Sequence, residues 1–533
     1  MIKRRKLIAN TALISAGVSI YPGQLWGKTR TQTIRHLLPA VNHNRMIIKV
    51  SFTLPQLTTP RIRIARKTVN ASPSDTLGRF WRFDIKELEP ATTYDLQIED
   101  SKGTQLGDPW PLRTFPHPGD DVEHVRLLVY TCAGGNGDLG YANGLSAFQP
   151  LAVRKRLLAR ALSFSPDVAI GVGDQVYWDQ ETSLKSRNEN VRKLSYAFYK
   201  KFGFFDASLP VYGTPNESVL TSVVDAQLAD LYGLMFQSTP TYLTQDDHDY
   251  FENDEASDDR ITFPPTPFKL KLAKATQSLY FPEFLPDENR PSGLPGSFKG
   301  GTSDELAESY GTLRYGKLLE TLIYDCRRFL TLKGPSAVFV EPTAEDWLKQ
   351  RTRDEKATRH LVHMPSTPMG WAAGKWGEWY PDILESNNKL GTSKPKPYWQ
   401  QGWWLQHQRL LSMTSAQKER IPLTVSGDLH AIGAGSIQKS GELNFADKPI
   451  QSILSGPISS DDLTWPSAFR NTPPLVPSGM AVEESLSPLE NNGFTLLDFY
   501  PENIQVRQFA WHKTRPVEDI DSLNPVNEFT LSR

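Results

Sequence analysis

Four short apolar runs in this 533-residue chain each stop on a residue that binds metal, and no other feature narrows the fold as far. Leu127-Leu128-Val129-Tyr130-Thr131 leads into Cys132, and Val168-Ala169-Ile170-Gly171-Val172 leads into Gly173-Asp174-Gln175-Val176-Tyr177-Trp178-Asp179. Thr241-Tyr242-Leu243-Thr244-Gln245 leads into Asp246-Asp247-His248-Asp249, and Leu423-Thr424-Val425-Ser426 into Gly427-Asp428-Leu429-His430. Such runs read as strands. In open α/β sheets the ligand site lies beyond the carboxyl ends of the strands, so four strands delivering Cys, Asp, Tyr and His there converge on one place. Taken singly, each has an ordinary reading. A Gly-Asp pair makes a turn, a buried Cys is a small hydrophobe, and an acidic run is a solvated loop. Three carboxylates in four residues, however, repel one another unless a cation neutralises them. Together the four endings point to a metal site.

Helical patterns lie between and beyond these runs: Pro150–Leu162, with Leu151, Leu158 and Leu162 on one face, Val223–Phe236, and Trp404–Met413. Alternating β and α signals predict a layered α/β domain over 124–515 with a tail at 516–533. Arg45–Pro116 reads as all-β instead. Met46–Phe52, Arg61–Ile64 and Phe80–Phe83 are rich in β-branched and aromatic residues and broken by Pro, Gly and Ser. Leu88-Glu89-Pro90-Ala91-Thr92-Thr93-Tyr94 carries the spacing of a tyrosine corner, which predicts a small fibronectin-III-like sandwich over 45–118. His117–Asp121 is its linker. Glu252–Pro267 and Pro365–Pro397 are too long for turns and are expected to be loops near a site.

Composition limits the function classes. Two cysteines, Cys132 and Cys326, exclude a disulfide framework. The net charge of −1 hides an asymmetry: thirteen Lys and Arg precede the first acid, Asp75, leaving 46 bases against 60 acids in the rest, a net of −14. An acidic body offers no nucleic-acid-binding patch and suits a protein that gathers cations. Met1–Lys28 reads as an export signal, with Lys3-Arg4-Arg5-Lys6 followed by a mild apolar run from Leu7 to Tyr21. That run is too short and polar to span a membrane. The adjacent arginines resemble a twin-arginine leader, and an ordinary signal peptide is the other reading. Either way the expected location is periplasmic or secreted.

Ligand chemistry narrows the site further. Carboxylates suit Ca²⁺, Mg²⁺ or Mn²⁺, whereas thiolate, phenolate and imidazole suit a transition ion. A set mixing both describes a multinuclear centre, of the kind that hydrolyses phosphoesters.

These motifs, in this order, resemble the alkaline phosphatase D (PhoD-like) metallophosphatases. The resemblance runs from the leader and sandwich through Cys132, Gly173–Asp179 and Asp246–Asp249 with Asn253. It continues through Leu322–Arg327 and Gly427–His430 to the closing run Gly493–Phe499. It implies a calcineurin-like core, small phosphoester substrates, export by the twin-arginine machinery, and a centre holding iron (Fe³⁺) and calcium (Ca²⁺). Cys132, Asp174 and Tyr177 match iron-holding positions, with Asp174 as bridge. Asp246, Asp247, Asp428 and His430 complete the metal set; Asp247 and His248 stand where related enzymes have Asn-His. Asn253 and Arg327 match residues near the substrate. The implied reaction is direct attack of a metal-bound hydroxide on phosphorus, with His248 assisting the leaving group and Arg327 holding a phosphate oxygen.

Two departures stand out. Cys326 replaces a Thr and is read as core, pointing away from Asp325 and Arg327. Met364–Pro397 does not follow the family pattern, and six of thirteen tryptophans (Trp371, Trp376, Trp379, Trp399, Trp403 and Trp404) fall in residues 371–404. They form either an apolar wall that selects substrate or ordinary loop packing. Gly134–Asp138 offers backbone N–H groups to a phosphate or is a plain turn, and Asp325 binds metal or orients Arg327. His360, His363 and His407 have no partner at ligand spacing. Two rivals to a soluble-ester hydrolase remain at this level: a phospholipase-D-like enzyme contacting membrane headgroups, and a non-catalytic surface-binding protein.

Overall fold

The computed structural model describes residues 33–136, 145–178, 184, 189–250, 253–257, 260–285 and 310–533. The leader at 1–28 and Asp179 therefore lie outside the described residues, as do Gly137 and Asp138.

The N-terminal module is two four-stranded sheets. One runs Ile34–Val41, Met46–Phe52, Phe80–Ile85, Ser72–Pro73; the other runs Lys67–Asn70, Arg61–Ile64, Thr93–Glu99, Trp110–Arg113. Alternation places Met46, Ile48, Val50 and Phe52 in the core with Ile62, Ile64, Leu96 and Ile98. The tyrosine corner forms: Tyr94 OH accepts from Glu89 N at 2.8 Å. The module begins earlier than position 45, because Ile34–Val41 pairs antiparallel with Met46–Phe52. Its sequence, with His36 and Pro39 inside, hid that strand.

By contacts, Thr33–Arg533 form one unit. Arg35 reaches Asp225 at 2.6 Å and Asp230 at 2.8 Å, Leu37 N donates to Gly233 O, and buried Lys49 pairs with Glu283 at 2.7 Å. The even-numbered face of Met46–Phe52 makes the sandwich core, and Lys49 on its other face binds the end of the helix Pro267–Tyr280.

Beyond the module two mixed sheets face each other. The first has six strands, with Thr241–Thr244, Val168–Val172 and Val125–Tyr130 parallel, then Asn492–Phe499, Asn503–Trp511 and Pro525–Ser532 antiparallel. The second contains the parallel strands Leu319–Tyr324, His360–Pro365, Leu423–Ser426 and Ile450–Ser455, flanked by antiparallel ones. Residues 525–532, read as a tail, are instead an edge strand of the first sheet.

The central strands are apolar on both faces because both faces are covered. Leu127, Val129, Ile170, Val172, Ile323, Met364 and Val425 meet between the sheets. Leu128, Tyr130 and Ala169 face outward under the helices Leu151–Leu162, Pro215–Val224 and Pro267–Tyr280. Leu322 and Tyr324 lie under Pro342–Arg353 and Gln401–Ser415. The result is an α/β/β/α stack. The helix expected at Val223–Phe236 starts earlier, where Thr214 caps Asn216 N ahead of Pro215. A turn of π-helix at Asp225–Ala229 follows, and the run closes at Gly233.

Candidate metal centre

All four expected strand endings meet at one end of the stack. The turns that carry them are unusual: Cys132 (φ 48°), Asp174 (56°), Asp428 (68°) and His430 (51°) all adopt left-handed backbone. A non-glycine residue there costs about 1 kcal/mol or more, so the surrounding packing must hold each one. Two glycines make the approach possible. Gly173 has φ 80°, and a Cβ on it would lie 2.8 Å from Asp246 Cβ. A Cβ on Gly427 would lie 2.1 Å from Val172 O, so only glycine lets the second sheet's strand end touch the first sheet's. The Gly-Asp pairs thus serve both as turns and as ligand carriers.

Three groups of side chains have ligand atoms within 4.8 Å of one another: Cys132, Asp174 and His430; Asp174, Asp247 and His248; and Asp246, Asp247 and Asp428. In the first, Cys132 Sγ lies 3.2 Å and Tyr177 OH 3.3 Å from Asp174 Oδ2. Tyr177 OH also lies 3.3 Å from His430 Nε2. His430 Nδ1 is 2.8 Å from Ser460 Oγ, which leaves Nε2 as the nitrogen that faces the cluster. The His248 ring lies against that of Tyr177, centroids 4.3 Å apart and planes tilted by 38°.

The charges explain why a cation belongs here. Burial pushes Asp174 up to about 7, with Asp247 and Asp428 adding to it against His248. Burial, then Asp174, raises the Cys132 thiol well above its ordinary range, and burial holds His430 neutral. Asp174 Oδ1 and Asp247 Oδ1 are buried with no hydrogen-bond partner. A metal ion supplies the positive charge and the partner that such buried donors lack, and displaces the protons that burial would otherwise leave on them. The donor set of thiol, phenol, imidazole and carboxylate fits a transition ion, and the carboxylates beside it fit a hard cation.

The acidic side differs. Arg327 lies 3.0 Å from Asp246, 3.1 Å from Asp254 and 3.0 Å from Asp428, and it donates to Gly377 O at 2.5 Å. Its side chain has no exposed surface. The expected contact between Arg327 and a substrate phosphate is therefore replaced by charge compensation inside the protein. Lys375 lies 2.5 Å from both Asp247 and Asp428. Burial raises Asp247, but Lys375, His248 and Arg327 outweigh it and hold the carboxyl below its usual range.

The remaining expected residues find other employment. Asp249 accepts from Gln175 N, Val176 N and Asp246 N, tying two ligand turns together. Asp325 accepts from Arg327 N at 2.6 Å, Arg328 N at 3.0 Å and Tyr250 OH, so it orients the arginine turn. Asn253 Oδ1 accepts from Arg470. Gly134 and Gly135 spend their N–H groups on Asp174 O and Gln227. Cys326 is a free thiol in the apolar core. Trp379 and Trp403 are buried in a core on which Trp376, Trp399 and Trp404 pack, and Trp371 is buried in a neighbouring cluster with Leu429 and Leu454. The tryptophan segment is packing, yet it delivers Lys375. Sequence reasoning missed Lys375, Asp254 and Ser460. A lone charge flanked by Gly374 and Gly377 in an aromatic stretch was the available signal for the first.

The solved structure of PhoD matches at 14% identity and a TM-score of 0.56, covering 95% of this chain and 90% of that one. A purple acid phosphatase from yellow lupin (Lupinus luteus) seeds matches at 12% identity and a TM-score of 0.53, covering 93% and 74%. These likenesses show the fold, a calcineurin-like core behind an all-β module. No curated protein sequence matches the chain significantly. A family model of PhoD-like phosphatases matches residues 153–508, about two thirds of the chain, and spans all the site residues except Cys132. With buried clusters fit for metal at the strand ends, the chain belongs to the PhoD-like phosphatase family and is a metal-dependent phosphoesterase.

Proposed function

We propose that this protein is exported and hydrolyses small phosphomonoesters, phosphodiesters or both by direct attack of water on phosphorus. The observation that carries the reading is the sharing of Asp174 by two adjacent ligand groups, one rich in soft donors and one in carboxylates. Cys132, Asp174, Tyr177 and His430 would hold iron, and Asp174 and Asp247 calcium beside it. Ions bound there supply Lewis-acid polarisation of the ester and a more acidic water. His248 and His430 are 6% and 7% exposed among otherwise sealed ligands, so they mark the side from which substrate enters. As the water oxygen bonds to phosphorus and the ester P–O bond breaks, His248 gives its proton to the departing alkoxide and is reprotonated by the proton that the attacking water releases. Tyr177, packed against it at a tilt, restricts the turning of the ring.

The test is release of p-nitrophenol from p-nitrophenyl phosphate and bis-p-nitrophenyl phosphate, with and without chelator, beside Asp174→Asn. Release abolished by chelation and by the substitution is expected, and the ratio of the two substrates assigns mono- or diesterase. No release from either ester by metal-replete protein would sink the reading. Headgroup release from vesicles in that case would move the substrate to lipids. Export rests on Arg4-Arg5: lysines at both positions should retain the protein in the cytoplasm.

A further inference from the structure

The third ligand group, Asp246, Asp247 and Asp428, already contains a cation. Lys375 Nζ lies 2.5 Å from Asp247 Oδ2, 2.5 Å from Asp428 Oδ1 and 3.8 Å from Asp254 Oδ2, and its side chain is 2% exposed. An ammonium that touches two carboxylates stands where a divalent ion bridging them would stand. The loop is built to keep it there. Lys396 Nζ donates to Lys375 O at 2.5 Å and pairs with Glu378 at 3.1 Å, and Glu378 accepts from Ala373 N at 2.7 Å. On the other side Gly377 O accepts from Arg327. Lys375 acts on Asp174 only through space, whereas it touches Asp247 and Asp428, so the two halves of the centre differ in how closely the protein's own cation approaches them.

We propose that Lys375 is a resident cation that takes the place of a further divalent ion, so that the Asp246–Asp247–Asp428 group is closed by the protein and metal binds only around Asp174. Lys375 is then a positioning residue. With Arg327 it fixes Asp247 and Asp428 and sets how many ions the centre holds. The inference rests on the metal-centre reading, but it is read as an ion count rather than as catalysis.

The experiment uses the full chain, stripped by chelator and titrated with Ca²⁺ alone by calorimetry, beside Lys375→Met. Elemental analysis after dialysis gives the ion count. The variant is expected to take up one more Ca²⁺ per chain than the wild type. An affinity at that group at least about tenfold tighter than any wild-type site there is expected, because a neighbouring positive charge has gone. Equal counts and affinities in the two proteins would overturn the proposal. Should the variant fail to fold, a crystal of the wild type soaked in Mn²⁺ decides the question. Anomalous density between Asp247 and Asp428 overturns the proposal, and density confined to Asp174 and its neighbours supports it. Neither result depends on hydrolysis, so loss of the phosphoesterase reading would be seen separately.

Discussion

On one side of the centre, Cys132, Asp174, Tyr177 and His430 gather three potential anions and a neutral imidazole, and Lys375 acts on Asp174 only through space, without an ion-pair contact. A few ångströms away, Asp246, Asp247, Asp254 and Asp428 are threaded by Arg327 and Lys375. Both halves use the same device, a strand that ends in a left-handed turn. They differ in where the compensating charge comes from. The soft half depends on an ion from outside, whereas the acidic half brings its own through two loops distant in sequence. Buried charge is tolerated only when paired, so the two halves should fail in different ways when disturbed.

The largest effect is expected from Arg327→Met. It leaves Asp246, Asp254 and Asp428 facing one another in the interior, and breaking a buried ion pair from one side costs about 3–5 kcal/mol. Urea denaturation with and without chelator measures it; a loss that vanishes on chelation would mean the arginine serves bound metal and not the fold. Asp174→Asn is the counterpart in the soft half. Hydrolysis should fall at least about 100-fold, while thermal stability of the chelated protein stays the same or rises because an uncompensated buried anion is gone. Marked destabilisation there would show that Asp174 is paired within the chain after all.

Ser460→Ala is a gentler probe of the same half. It frees His430 Nδ1, and metal affinity should drop about tenfold, read by competition with a chromophoric chelator; an unchanged affinity would remove His430 from the ligand set. The last effect, small for each residue, separates centre from scaffold. Burial lowers His36, His363 and His407 to about 3. Their native forms are neutral, while the unfolded chain takes up protons below its ordinary value near 6.5. Stability is therefore complete above pH 6.5 and lost as pH falls toward 3. Between pH 7.5 and 5.5 the loss should be about 1 kcal/mol per histidine. It should persist in chelated protein, since none of the three lies in the metal groups. A pH-independent stability over that range would contradict their burial.

Much of this was legible in the chain because it is local. A strand buried on both faces needs an unbroken apolar run, so Val125–Tyr130, Val168–Val172, Thr241–Thr244 and Leu423–Ser426 were found within a residue or two. A turn that aims a ligand across a sheet edge needs its Gly-Asp or its acidic run, and those letters sit beside the strand they end. The tyrosine corner is local in the same way, which is why Tyr94 and Glu89 meet as their spacing requires.

What escaped was set by contacts between distant segments. Ile34–Val41 and Pro525–Ser532 are strands because a partner edge accepts them, and neither shows a pattern strong enough to announce it. Arg327 sits beside a strand as expected, but its burial among three aspartates from three other loops turned it from a substrate contact into internal counter-charge. Lys375 belongs to a tryptophan-rich loop whose packing, with the Lys396, Glu378 and Arg327 contacts around it, brings its ammonium to Asp247 and Asp428. Sequence by itself determined which strands exist and which donors stand at their ends, since period and turn chemistry act over a few residues. Only the tertiary structure decided which charges neutralise those donors, since Coulomb interactions in a buried site depend on distances that no spacing along the chain encodes.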